Sequence, residues 1–206
     1  MRLLKGLLIA AALAVAGAAL WWRKNPSACP YSQRFWVQAP HPIITRDRLR
    51  EVLAARPGES VLEVGPGTGY YTLDVADWVG PEGKVEILDL QQEMLDHTMN
   101  RAGESGLSNI TPTLADATAM PYEDASFDAA YLVTVLGEVP DQDAALRELA
   151  RVLKPGGRLV VGELMGDPHY VAIKPMRLRA AGAGLEFERR SGNPMGFFAR
   201  YRKPAV

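Results

Sequence analysis

Cysteine is nearly absent from this chain: Cys29 stands alone in 206 residues. A single thiol excludes an internal disulfide and a cysteine-based zinc cluster, and it suits a domain kept in a reducing compartment. Histidine is scarce too, and His41, His97 and His169 are too scattered to suggest a metal site. There is no internal repeat and no long low-complexity stretch. Beyond Leu164 only residues 165–206 remain, enough for one helix and two strands but not for a large substrate domain. A hydrophobic content of 48% supports one domain with a sizeable core. No nucleic acid is expected as a partner.

What is present begins with Val61-Leu62-Glu63-Val64-Gly65-Pro66-Gly67-Thr68-Gly69, an apolar strand running into three alternating glycines. Without a Cβ the backbone turns sharply there and comes close to a ligand. The run Lys84-Val85-Glu86-Ile87-Leu88-Asp89 then ends in a carboxylate, placed where an open α/β sheet offers an acid to ribose hydroxyls. A dinucleotide fingerprint would need glycine at position 70, which is Tyr70, so a pyrophosphate ligand is disfavoured.

Further strands follow in order. Asn109 to Leu114 predicts a third strand, and Asp116 in Ala115-Asp116-Ala117 offers a carboxylate to an exocyclic amine or caps its own turn. Ser126 to Leu136 is a nearly continuous apolar run, as expected of a central parallel strand covered on both faces. Asp141 to Leu153 predicts an amphipathic helix, Lys154-Pro155-Gly156-Gly157 its stop, and Arg158 to Leu164 the fifth strand.

The pattern Glu63-x-Gly65-x-Gly67-x-Gly69, with the three later motifs in order, resembles the class I S-adenosylmethionine-dependent methyltransferases, over Glu59 to Pro204. The domain is also similar to methyltransferases of quinones and phospholipids. The resemblance implies a doubly wound, Rossmann-like α/β domain with a seven-stranded, mostly parallel sheet whose last strand is antiparallel. It implies S-adenosyl-L-methionine as cofactor, bound by Glu63, Gly65, Gly67, Gly69, Asp89, Leu90, Asp116, Ala117 and Thr134, and no metal. No catalytic residue is identified, and the candidates are Tyr31 and His169, each equally readable as a packing or turn residue.

Residues 1–24 are read as a membrane anchor, 25–57 as a connector with lid helices, and 58–206 as the methyltransferase domain. Leu3 to Trp22 is apolar except for Lys5, and twenty helical residues reach roughly 30 Å, the thickness of a bilayer's hydrocarbon. Trp21-Trp22-Arg23-Lys24 then supplies the aromatic and cationic flank of a membrane interface. The alternative is a cleaved signal peptide, with Arg2 and Lys5 as its basic region; Trp21 and Trp22 occupy the place of its cleavage site. Flanking cations are nearly balanced, so orientation follows from the cytosolic cofactor: the domain should face the cytoplasm. Gly6, Ala10, Ala14 and Ala18 form a small-residue stripe that would pair helices in a homo-oligomer.

Residues 1–60 carry nine Lys/Arg against three Asp/Glu, 61–170 six against nineteen, and 171–206 eight against two. The basic ends, with Arg189, Arg190, Arg200, Arg202 and Lys203, either meet an anionic bilayer or form the solvated face of two terminal strands. Tyr31, Phe35 and Trp36 lie in the connector, and Thr45 is placed to cap a helix through Arg48, Leu49, Val52 and Leu53 that would cover the cofactor. The expected acceptor is a lipid, a phospholipid amine or a quinone precursor. The alternatives are a small hydrophobic thiol or other small molecule, and a non-catalytic cofactor-binding module in a membrane complex.

Overall fold

The computed structural model describes residues 25–38 and 41–205, together with Ala14, Gly17 and Trp21. The predicted anchor therefore lies outside the described residues but for those three positions. Among the described residues no helix is long and apolar enough to cross a membrane.

A 3-10 turn, Tyr31–Gln33, leads into helix α1 (Arg34–Gln38). Helix α2 (Arg46–Leu53) is capped by Thr45, whose side chain accepts the Arg48 amide, and ends at Ala54 in the left-handed region. There follow β1 (Ser60–Val64), α3 (Thr72–Val79), β2 (Lys84–Asp89), α4 (Gln92–Glu104), β3 (Ile110–Leu114) and β4 (Phe127–Val133). The chain closes with α5 (Gln142–Val152), β5 (Leu153–Leu164), α6 (Ile173–Gly182), β6 (Glu186–Asn193) and β7 (Gly196–Arg202).

The seven strands form one sheet in the order β3-β2-β1-β4-β5-β7-β6. The first five pair in parallel, and β7 is antiparallel to both β5 and β6. This is the doubly wound α/β sheet that the motifs predict. Side chains alternate across it, so Leu62, Val64, Leu132 and Val161 pack in one core while Val61, Val85, Ile87 and Tyr131 pack in the other. The same alternation turns Glu63 into the second core, where it is 2% exposed.

Two local expectations change. Lys154 to Gly157 is part of β5 rather than a separate stop: Leu153 pairs with Phe127, the chain loops out, and Arg158 pairs with Ala129. The loop is held because the Gly156 amide donates to the Lys203 carbonyl and the Lys203 amide to the Gly157 carbonyl, both at 2.9 Å. Helix α2 lies against β5, β6 and β7 with Leu49, Val52 and Leu53 buried, and it is the chain before it that approaches the strand ends. Of the two readings of the basic terminal strands, the solvated face is what these strands form: Arg189, Arg190 and Arg202 are exposed, Arg200 and Arg202 pair with Glu188, Arg189 with Glu51, and Lys203 Nζ donates to the Leu153 carbonyl.

Arg158 fastens α2 to the sheet. Its side chain is buried, and its guanidinium donates to the carbonyls of Leu53 and Ala54 and pairs with the partly buried Glu59. Arg158→Ala leaves the Leu53 and Ala54 carbonyls without this donor and the partly buried Glu59 carboxylate with only the Arg56 amide, and should cost about 1.5–3 kcal/mol in urea unfolding. A loss below about 1 kcal/mol would show that the clamp is not structural.

Candidate functional site

After β1 the chain proceeds outward to β2 and β3, then returns on the other side of β1 as β4. That reversal leaves a crevice at the carboxyl ends of β1 and β4, the place where doubly wound sheets bind ligands. Gly65, Gly67 and Gly69 turn the chain away from it at φ of 68°, 56° and 75°. Gly65 is doubly required, since a Cβ there would collide with the Val135 side chain. A Cβ on Gly69 would press on Thr98 of α4, so this third glycine serves the fit of the loop against α4 and does not line the crevice.

The crevice holds a cavity of about 770 Å³, its mouth included, lined by Gly65, Gly67, Asp89, Leu90, Asp116, Ala117 and Thr134. Seven of the nine expected cofactor residues are thus brought together. Asp89 is 9% exposed, and its Oδ1 accepts the Gln91 amide at 2.9 Å. Burial pushes its carboxyl up, against the pull of the Gln91 and Leu90 amides, so it is poised to gain from further donors. Asp116 is exposed and its Oδ1 accepts from the amide and hydroxyl of Thr118, while Oδ2 has no partner among the described residues. Leu90 exposes an apolar side chain at the mouth. Thr134 stands at φ 56°, a costly conformation for a β-branched residue and one that clusters at functional sites.

A second, larger cavity shares Ala28, Cys29, Gly65, Val133, Thr134 and Glu138 with the first and continues past His41, Glu63, Tyr71, Leu164, Asp167 and His169. Glu63 and His169 therefore face this side. Tyr31 lines neither cavity: its amide donates to Gln91 Oε1 and its hydroxyl meets His97 Nδ1 at 3.2 Å. Cys29, Gln91 and Glu138 were not expected here. The Gln91 amide group donates to the Cys29 carbonyl and the Cys29 amide donates to Glu138 Oε2, which straps residues 27–33 across the strand ends. No motif signals these contacts, although the acidic middle of the chain was a hint.

Residues 40–173 match the ubiE/COQ5 methyltransferase family. The chain belongs to that family. As a family member it is similar to the ubiquinone/menaquinone biosynthesis C-methyltransferase UbiE of Shewanella frigidimarina, 39% identical over 142 residues, which cover 68% of this chain and 53% of the relative. The Shewanella oneidensis protein of the same name is 40% identical over 125 residues, 60% of this chain and 50% of the relative. The chain thus spans about half the length of these curated relatives. A SAM dependent methyltransferase from Aquifex aeolicus shares the fold at a TM-score of 0.79 and 21% identity, covering 85% of this chain and 100% of that one. The [4+2]-cyclase SpnF shares it at 0.70 and 23%, covering 78% and 80%. A cyclase on the same fold shows that architecture alone does not choose the reaction.

As in other class I S-adenosylmethionine-dependent methyltransferases, the cofactor is S-adenosylmethionine, and the first cavity suits it. A nucleoside there would meet Asp89, Asp116 and the glycine turn, which leaves room for the backbone to approach. Asp89→Ala should weaken cofactor binding roughly ten- to a hundredfold in calorimetry, the loss of charge-assisted bonds worth about 1.5–3 kcal/mol. Unchanged affinity in the folded variant would remove Asp89 from the site.

Glu63 is pushed up to about 7 by burial, although Thr72 and Tyr131 hydroxyls favour its carboxylate. A carboxyl raised above its ordinary value is protonated in the folded chain while the unfolded chain has already ionised. It costs nothing below about pH 4.5, destabilises increasingly up to about 7, and levels off above. Stability of the cofactor-free protein should therefore fall from pH 5 to 8. Glu63→Gln should flatten that fall by on the order of 3 kcal/mol at most, and an unaltered pH dependence of thermal unfolding would show that Glu63 is not held protonated.

Proposed function

We propose that the chain transfers a methyl group from S-adenosylmethionine to a carbon of an isoprenoid quinone precursor. The observation that carries this reading is the meeting of two cavities at Gly65, Val133 and Thr134, one suited to the cofactor and the other large enough for an acceptor ring. When bound, the cofactor supplies a methyl group made electrophilic by its sulfonium. The chain's own part is to hold the acceptor in line, exclude water and remove a proton. The strap at 27–33, latched through Gln91 and Glu138, is suited to the second task.

The relatives' names support a quinone precursor. Charge supports it as well: among the described residues lining the second cavity there is no Lys or Arg, whereas Glu138 and Asp167 are present. A phospholipid amine would bring its phosphate against those carboxylates, which disfavours it. We place the domain on the cytoplasmic face of a membrane, held by an anchor at residues 1–24, where a lipid-borne acceptor is met in two dimensions.

Incubated with labelled S-adenosylmethionine and native lipid extract, the protein should label the quinone fraction at carbon. Label only in added thiols, or cofactor binding with no turnover at all, would overturn the reading. A version beginning at Asn25 should leave the carbonate-washed membrane fraction, still bind cofactor, and slow far more on vesicle-borne acceptor than on a soluble short-chain analogue. Equal slowing on both would remove the membrane from the proposal.

A further inference from the structure

One carboxylate on the shared wall stands outside the set of expected cofactor residues. Glu138 ends the 3-10 turn Leu136–Glu138 that follows β4, and it lines both cavities beside Thr134. An acceptor bound in the second cavity would lie along this wall, next to the space the two cavities share. Oε2 of Glu138 accepts the Cys29 amide at 3.2 Å, and Oε1 has no hydrogen-bond partner among the described residues. Its neighbour Gly137 packs so closely on the 167–169 turn that a Cβ would overlap the His169 carbonyl, so the carboxylate rests on a rigid seat. Of the other acids of the second cavity, Glu63 is 2% exposed with its Oε2 engaged by the Thr72 hydroxyl, Asp167 has its Oδ1 engaged by the His169 amide at 2.7 Å, and neither lines the cofactor cavity.

We propose that Glu138 is the catalytic base, its free carboxylate oxygen taking the hydroxyl proton of a hydroquinone acceptor bound in the second cavity. This rests on the acceptor reading given above. As the O–H bond breaks, its proton passes to Oε1 and its electron pair feeds through the ring to the attacking carbon. That carbon forms the new C–C bond while the methyl–sulfur bond breaks, its electrons remaining on sulfur. The methylated carbon then releases its hydrogen as a proton to water, and the ring oxygen recovers a proton from Glu138. One proton is released in all, and nothing is oxidised or reduced.

The surroundings tune the group for this work. Burial pushes Glu138 up to about 8, the Cys29 amide opposes the shift, and the negative charges of Asp167 and Asp89 reinforce it. Glu163, behind the cavity on β5, is pushed to about 8 as well, chiefly by its own burial. A base with proton affinity near the working pH is effective in taking and returning a proton, and an adjacent sulfonium would bring the value down.

Glu138→Gln keeps an oxygen for the Cys29 amide and tests the base alone. With a short-prenyl 1,4-dihydroxynaphthalene as soluble acceptor, kcat should fall about 10²–10⁴-fold, far more than calorimetric affinity for S-adenosylmethionine, which loses only the attraction between this carboxylate and the sulfonium. In the parent protein kcat should rise with pH to a plateau near or below 8, and Glu138→Gln should lose that limb. Glu138→Asp should recover part of it, and Asp167→Asn should move the limb to lower pH by removing a neighbouring negative charge. If the parent protein methylates the hydroquinone and Glu138→Gln keeps both rate and limb, the base is wrong and the acceptor stands. If the parent protein never methylates the hydroquinone, the acceptor reading fails and this proposal falls with it.

Discussion

The functional architecture depends on two neighbouring strands being stopped within one residue of the same level. Val64 ends β1 opposite Leu132 of β4, which runs one residue further to Val133, and the next residue of each strand turns into the left-handed region: Gly65 at φ 68° and Thr134 at φ 56°. Both turns are tied to flanking strands, the Gly65 amide to the Leu88 carbonyl and the Thr134 amide to the Gly162 carbonyl, each at 2.8 Å. The strain at Thr134, on the order of 1–3 kcal/mol, is offset by such bonds and by packing. Had either strand continued, its backbone would fill the space in which the two cavities meet. Val135 closes the arrangement by pressing on Gly65, so the turn after β4 shapes the glycine loop after β1.

Charge is divided between structure and site. Arg158, Arg200 and Arg151 are committed to carbonyls and carboxylates that hold α2, the terminal strands and the loop before β4. The site instead gathers acids: Glu63, Asp89, Glu138 and Asp167 all lie at the strand ends, and burial raises each of them. A cavity built this way suits a ligand that carries positive charge, as a sulfonium does, and resists anions. The same acids make the empty fold less stable as pH rises, so a bound cation and the folded state favour each other.

The segment at 27–33 links these features. Gln91 donates to Cys29 and accepts from Tyr31 through its side chain, while its own amide is held by Asp89. The acid expected at the ribose and the strap over the site are therefore joined through one residue. Glu138 receives the strap on the far side of the cavity. Tyr31, an expected catalytic candidate, is instead occupied in this attachment through His97.

Much of the fold was legible in the chain itself, because strands, glycine turns and caps are local. Val61 to Val64, Asp89 at its strand end, the apolar run before Thr134 and the Thr45 cap each announce themselves within a few residues. The glycine spacing and the acid twenty residues on sufficed to indicate a nucleoside cofactor. What the sequence by itself did not determine was which side chains cross the site. Cys29 meets Glu138 across 109 residues and Gln91 across 62, and no spacing rule connects them. Gly69 and Glu63 show the same limit from the opposite direction: both stand in the motif, yet the helix packing turns one toward Thr98 and strand alternation turns the other into the core. Motif residues are set by backbone geometry over short range, whereas the groups that meet an acceptor are assembled by packing between distant segments, which only the tertiary structure decides.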